Sequence, residues 1–169
     1  MKRWTVWPLA AALVLMVTLT VSKAQEAGVR ISAGLVADEL RELGHSAKID
    51  QDESGDPRVN TKVDGYDWSV YFYDCSSGAL EARTCVSFQF YSGYTVAKTF
   101  PLQTINKWNT EKRYAKAYSY MQRDGTNNAR IEIDVLMEGT QADPRQTFRA
   151  YFTKMKNSAE GFRKAIGFK

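Results

Sequence analysis

Trp68-Ser69-Val70-Tyr71-Phe72-Tyr73-Asp74-Cys75 and, after the loop Ser76 to Thr84, Cys85-Val86-Ser87-Phe88-Gln89-Phe90-Tyr91 are two stretches that read in steps of two. In the first, Trp68, Val70 and Phe72 fall on one side and Ser69, Tyr71, Tyr73 and Cys75 on the other; in the second, Val86, Phe88 and Phe90 oppose Cys85, Ser87, Gln89 and Tyr91. A side-chain period of two is that of a β-strand with one face toward a core. Pairing the strands antiparallel with Cys75 opposite Cys85 sets Tyr73 against Ser87, Tyr71 against Gln89 and Ser69 against Tyr91. That single register joins the two cysteines on the more polar face and stacks the apolar residues on the other. Closing so short a loop with a disulfide stabilises the fold by about 2 to 3 kcal/mol in the chain-entropy account. The spacing is not the C-x-x-C of a redox motif, so Cys75 and Cys85 read as a structural crosslink.

Helical and strand patterns surround this hairpin. Ser32 can cap a first helix whose apolar stripe is Leu35, Val36, Leu40 and Leu43, with Gly44 at its end. A hairpin with arms near Ala47 to Asp50 and Arg58 to Val63 turns at Ser54-Gly55-Asp56-Pro57. Pro101 opens a second helix with Leu102, Ile105 and Trp108 at helical spacing. A further hairpin is expected over Ala115 to Arg123 and Ala129 to Met137, across Asp124-Gly125, its second arm alternating Ile131, Ile133 and Val135 with Arg130, Glu132 and Asp134. Asp143, Pro144 and Gln146 then form a capping box for a long last helix with a buried stripe of Phe148, Tyr151, Phe152, Met155, Phe162 and Ile166. The expectation is an α+β fold: a twisted antiparallel sheet with an N-terminal, a middle and a long C-terminal helix.

The beginning of the chain reads as an export leader. Lys2 and Arg3 precede an apolar run from Pro8 to Val21, and Ser22-Lys23-Ala24 ends in the small residues a signal peptidase cuts after. An uncleaved anchor is the alternative, but Thr5 to Val21 only just reaches the lower limit of about 17 residues for a span. The division expected is a signal peptide over 1–24, a tail over 25–31 and one domain over 32–169, secreted to the periplasm with no stable membrane anchor after cleavage. Three of the 23 Lys and Arg residues, Lys2, Arg3 and Lys23, leave with the leader, so 20 basic residues stand against 19 acidic ones. A nearly neutral mature chain gives no electrostatic reason to bind nucleic acid. An oxidising compartment also agrees with the proposed disulfide.

From about Ser32 to Phe168 the chain resembles the YbjN family. The resemblance rests on Phe72-Tyr73-Asp74-Cys75, Phe88-Gln89-Phe90, Ile105-Asn106-Lys107-Trp108-Asn109 with Lys112-Arg113-Tyr114, Ile133-Asp134-Val135, and Phe162-Arg163-Lys164-Ala165-Ile166-Gly167-Phe168. It implies a fold similar to the chaperones of type III secretion and a role as a sensory-transduction regulator. It supplies no catalytic residues. The export leader departs from the cytoplasmic members of the family.

Enzyme chemistry finds little support. His45 is the only histidine and follows Gly44 at a helix end, a place for capping or solvation. G-x-S-x-G, S-x-x-K and G-x-G-x-x-G are all absent from the sequence. Asp50, Asp52, Ser54 and Asp56 have the opening spacing of a calcium loop, yet Thr61 stands where the closing glutamate belongs and Pro57 where a backbone contact belongs. No cofactor and no metal are therefore expected, with these four as a weak calcium candidate.

Tyrosines and a tryptophan on an uncovered sheet face make good protein-contact anchors, and Tyr71, Tyr73, Tyr91, Tyr94 and Trp108 are the candidates. The sequence leaves open whether the last helix covers that face. Asn106, Asn109, Lys112 and Arg113 lie around Trp108, either to meet a partner or to cap and solvate the second helix. The resulting expectation is a non-enzymatic interaction module for a protein partner or a second copy of itself. The alternative is a small-ligand binder or enzyme with Asp74, Arg83, Glu132 and Asp134 around a pocket beside the crosslink.

Overall fold

The computed structural model describes residues 28–97, 100–137 and 139–168. The leader expected over 1–24 lies outside the described residues. The fold is α+β. In chain order it runs β1 (Ile31–Ser32), α1 (Ala33–Glu42), β2 (Lys48–Gln51), β3 (Pro57–Val63), β4 (Tyr66–Cys75), β5 (Thr84–Val96), α2 (Leu102–Glu111), β6 (Lys116–Met121), β7 (Asn127–Leu136) and α3 (Pro144–Ala165).

The hairpin from which the sequence is read forms in the expected register, with Cys75 opposite Cys85, Tyr73 opposite Ser87, Tyr71 opposite Gln89 and Ser69 opposite Tyr91. The disulfide joins Cys75 to Cys85. Its surroundings differ from expectation at one end: Cys85 is fully buried in the core, because Ile31 of β1 pairs with it. Ile31, left in a tail by sequence reading, is thus part of the sheet. An isolated pair of strand residues carries no periodicity to detect.

All the strand pairs are antiparallel and the order is β2-β3-β4-β5-β7-β6, with β1 beside β5. Asp64-Gly65 makes the tight β3–β4 turn, both residues having positive φ, 51° and 85°. Two consecutive left-handed residues match the twist of a two-residue hairpin, which is why an Asp-Gly pair stands there. The β6–β7 hairpin returns after α2 so that β7, not β6, lies against β5. An apolar β7 belongs in the interior of the sheet, and the shorter, more polar β6 takes the edge.

The helices lie on one face. Phe148 of α3 packs against Phe88 and Phe90, with ring centroids 6.1 and 5.4 Å apart, and Phe152 meets Phe90 and Trp68. Burying each such ring contributes about 1.5 to 3 kcal/mol before the entropy of ordering it is subtracted. Ser32 caps α1 by accepting from the Leu35 N–H, and Asp143 caps α3 by accepting from the Gln146 N–H with Pro144 next in line. Gly44, at φ 83°, ends α1: its N–H bonds the Arg41 carbonyl and the His45 N–H bonds the Leu40 carbonyl. That doubled bond is the Schellman closure a glycine there permits. The His45 ring rests on Phe152. Leu102, expected in the stripe of α2, is exposed, while Ile105 and Trp108 alone are buried from that helix.

Between α1 and α3 sits Glu39, fully buried, its carboxylate held by Arg145 and Arg149. Burial alone would raise this carboxyl's pKa, but the hydrogen bonds and charges of Arg149 and Arg145 outweigh it and hold the group below the usual carboxylate range.

Candidate functional site

Because each strand alternates, placing the apolar residues under the helices turns the other set outward together. Lys48 and Asp50 of β2, Arg58 and Asn60 of β3, Ser69, Tyr71 and Tyr73 of β4, and Gln89 and Tyr91 of β5 share this second face. Register carries it on through Arg130, Glu132 and Asp134 of β7 to Lys116, Tyr118 and Tyr120 of β6. No helix among the described residues lies over it. The long α3 covers the apolar face, which answers the question the sequence left open.

Five tyrosines therefore stand on one open sheet surface. Tyr71 and Tyr91 meet edge to face at 5.8 Å, and Arg58 lies over the Tyr71 ring. Arg130 lies over both Tyr91 and Tyr120, 5.2 and 3.9 Å from the ring centroids, and donates to the Tyr120 hydroxyl. Tyr73 is 39% exposed and donates to Gln89 Oε1. Together they border a basin of about 410 Å³ floored by Gln89 and Glu132.

The charges around the basin are mostly paired. Arg58 grips Asp50 with Nε and Nη2 at 2.9 and 3.0 Å, and Asn60 adds a third donor to the same carboxylate. Arg58 thereby holds Asp50 below the usual carboxylate range against the opposing pull of burial. Lys116 lies 2.8 Å from Glu132 and 3.0 Å from Asp134, and these two hydrogen bonds raise its pKa. Burial pushes the Tyr91 phenol up to about 12 and raises Tyr73 and Tyr118 as well. At neutral pH these three hydroxyls are protonated donors, suited to gripping acceptors and poor as nucleophiles.

Of the residues singled out from sequence, Tyr71, Tyr73 and Tyr91 are brought together here, and Tyr94, Trp108, Asn109 and Arg113 are not. Tyr94 is 2% exposed on the helix-covered face, against Phe162 and Phe168, because it shares the parity of Phe88 and Phe90. Trp108 is 4% exposed, packs its ring on Phe162 and donates to the Ala115 carbonyl. Tyr94 and Trp108 are corrected to core residues. Asn109 spends its amide on the backbone of Ala117, and Arg113 is exposed beside Tyr114, at the end of α2 and away from the tyrosine face. Tyr118, Tyr120 and Arg130 were missed, although their parity within β6 and β7 was available.

The calcium candidates do not converge. Asp50 is committed to Arg58, and Asp52 accepts from the backbone N–H groups of Ser54 and Asp56, which makes it the brace of its own turn. Among the described residues no group of three His, Cys, Asp or Glu side chains is placed to hold a metal, and no helix is long and apolar enough to cross a membrane. The four residues of the proposed pocket beside the crosslink are also separated. Arg83 bonds the carbonyls of Gly78 and Gly55, whereas Glu132 and Asp134 meet at Lys116 on the tyrosine face. Asp74, at φ 54°, marks the bend of β4 before the disulfide.

Comparison with known proteins agrees with the architecture. Residues 32–168 match the model of a family, YbjN, described as "putative bacterial sensory transduction regulator". No curated protein matches the chain. A crystal structure of YbjN from E. coli, described as "a putative transcription regulator", superposes with a TM-score of 0.56 at 15% identity, covering 83% of this chain and 92% of that one. At that identity the likeness concerns the fold alone.

Proposed function

The chain belongs to the YbjN family, and from that premise we propose that it is a non-catalytic regulator-type domain that works by gripping another protein on its tyrosine face. The observation that carries this reading is the one-sided distribution of the helices: they cover the apolar face and leave Tyr71, Tyr73, Tyr91, Tyr118 and Tyr120 open to solvent on the other. Rings with polar tips give large contact area at low entropic cost, and their hydroxyls donate to backbone carbonyls of an incoming chain. The paired charges around them fix orientation and add little affinity. The occupant is a protein partner, held in the manner of a chaperone's client, or a second copy of the domain.

The same proposal places the protein in the periplasm, with the leader removed and the Cys75–Cys85 bond formed by the oxidising surroundings. The leader's charge and apolar pattern, together with the crosslink, support this. Affinity capture from envelope extract, with the mature chain as bait and Tyr71→Ser/Tyr73→Ser as the control, tests the docking role. A partner or self-association lost in the control supports it, and undiminished capture refutes it. Intact-mass analysis of native material tests the location, since a retained Met1 or free thiols would contradict export.

A further inference from the structure

Arg130 differs from the other cations at the centre of the tyrosine face. Arg58, Lys62 and Lys116 each have a carboxylate partner, whereas Arg130 makes no ion pair with any described residue. Its guanidinium is fixed between the rings of Tyr91 and Tyr120, and its Nε–H is buried with no acceptor. Two residues along β7, on the same face, Asn128 is 9% exposed and its Nδ2 also lacks an acceptor. A buried donor is nearly always given a hydrogen-bond partner, so two without one beside one space are unusual.

That space is a cavity of about 480 Å³ lined by Asn60, Ser69, Tyr91, Gly93, Asn128 and Arg130 among others. Gly93 keeps it open. It stands opposite Arg130 in the β5–β7 register, and a Cβ there would come within 3.1 Å of the Tyr91 hydroxyl and 3.7 Å of Arg130 Cγ. Its backbone is not left-handed, so a side chain here is limited by room and not by conformation, the Tyr91 hydroxyl having to give by a few tenths of an ångström.

We propose that the Gly93–Asn128–Arg130 cavity is a subsite for a carboxylate, presented by an acidic side chain of the protein segment that docks on the tyrosines. This rests on the docking role proposed above. A planar guanidinium with an adjacent amide donor matches the two oxygens of a carboxylate in geometry. The charge also selects the ligand. One cation without a carboxylate partner, beside an Asp67 already neutralised by Lys62, matches a single negative charge better than the two of a phosphate dianion.

The test is ¹⁵N NMR of the purified full chain, titrated with two capped pentapeptides identical except for a central Glu or Gln. The Arg130 Nε–H and Asn128 side-chain amide signals are expected to shift saturably with the Glu peptide and at least tenfold more weakly with the Gln peptide. Gly93→Val, which fills the cavity and spares both donors, is expected to abolish the difference. Arg130→Lys, which keeps the charge and loses the planar fork, is expected to do the same and serves where the valine variant does not fold. Equal shifts with both peptides, no shift with either, or a Glu preference surviving these variants would overturn the subsite. If partner capture depends on Tyr71 and Tyr73 yet ignores Arg130→Lys, the subsite fails and the docking face stands. Capture indifferent to the tyrosines fails the face itself.

Discussion

Asn109 clasps the peptide groups of Ala117 from outside the sheet: its Nδ2 donates to the Ala117 carbonyl and its Oδ1 accepts from the Ala117 N–H, each at 2.9 Å. Ala117 lies in β6, the edge strand, so this amide takes the place a further strand would occupy. Unpaired edge groups invite pairing with another chain, and a side chain that satisfies them is a defence against it. Asn109→Ala should cost about 1 kcal/mol of stability in urea unfolding. It should also make the protein associate with rising concentration in sedimentation experiments, whereas Asn106→Ala, changed on the same helix, should not.

Glu39 gives the fold an acid-sensitive clamp. Its folded pKa lies below the usual value of 4.5, so the folded state releases this proton more readily than the unfolded chain does. The clamp's contribution is therefore complete at neutral pH, declines as the pH falls below about 4.5, and is lost once it passes the folded pKa. Glu39→Gln should lower stability at pH 7 by about 1 to 3 kcal/mol and flatten the acid limb of a stability profile measured from pH 7 to 3.

The crosslink should act on the unfolded chain. Cys75→Ser/Cys85→Ser, or reduction, should lower stability by about 2 to 3 kcal/mol, the entropy of closing a short loop. Chemical denaturation with and without reductant measures it, and an effect near zero would mean that strain offsets the gain.

Tyr73 and Tyr94 should behave oppositely under substitution. Tyr73→Ser removes an exposed ring and should shift stability by no more than about 0.5 kcal/mol. Tyr94→Ser should cost about 3 kcal/mol or more, since the ring is enclosed by Phe162 and Phe168. Tyr94→Phe should be neutral or stabilising, because the buried hydroxyl has no hydrogen-bond partner to lose. Thermal melts of the three variants decide these points together.

Sequence reading was strongest where the cause of structure is local. The β4–β5 register followed from the alternation of Trp68 to Phe72 and Val86 to Phe90 and from the two cysteines, and the caps Ser32 and Asp143 followed from their own turns. It failed where parity was not carried through. Tyr94 was grouped with Tyr91 although the two are three residues apart and must point to opposite faces of a strand. Tyr118 and Tyr120 lie in the first arm of a hairpin whose apolar and polar alternation is plain only in the second, Ile131 to Val135. Trp108 was misjudged for a different reason: a polar neighbourhood in sequence says nothing about Phe162, which lies on another helix.

From the sequence alone came the elements other than β1, the caps of α1 and α3, the β4–β5 register and the division of the longer strands into an apolar and a polar side, because these depend on neighbours within a few residues. Tertiary structure alone decided that β7 inserts between β5 and β6, that α3 covers the apolar face, and that Gly93, Asn128 and Arg130 border one cavity. Those outcomes depend on which surfaces lose water together when distant segments meet, and no local period encodes that choice.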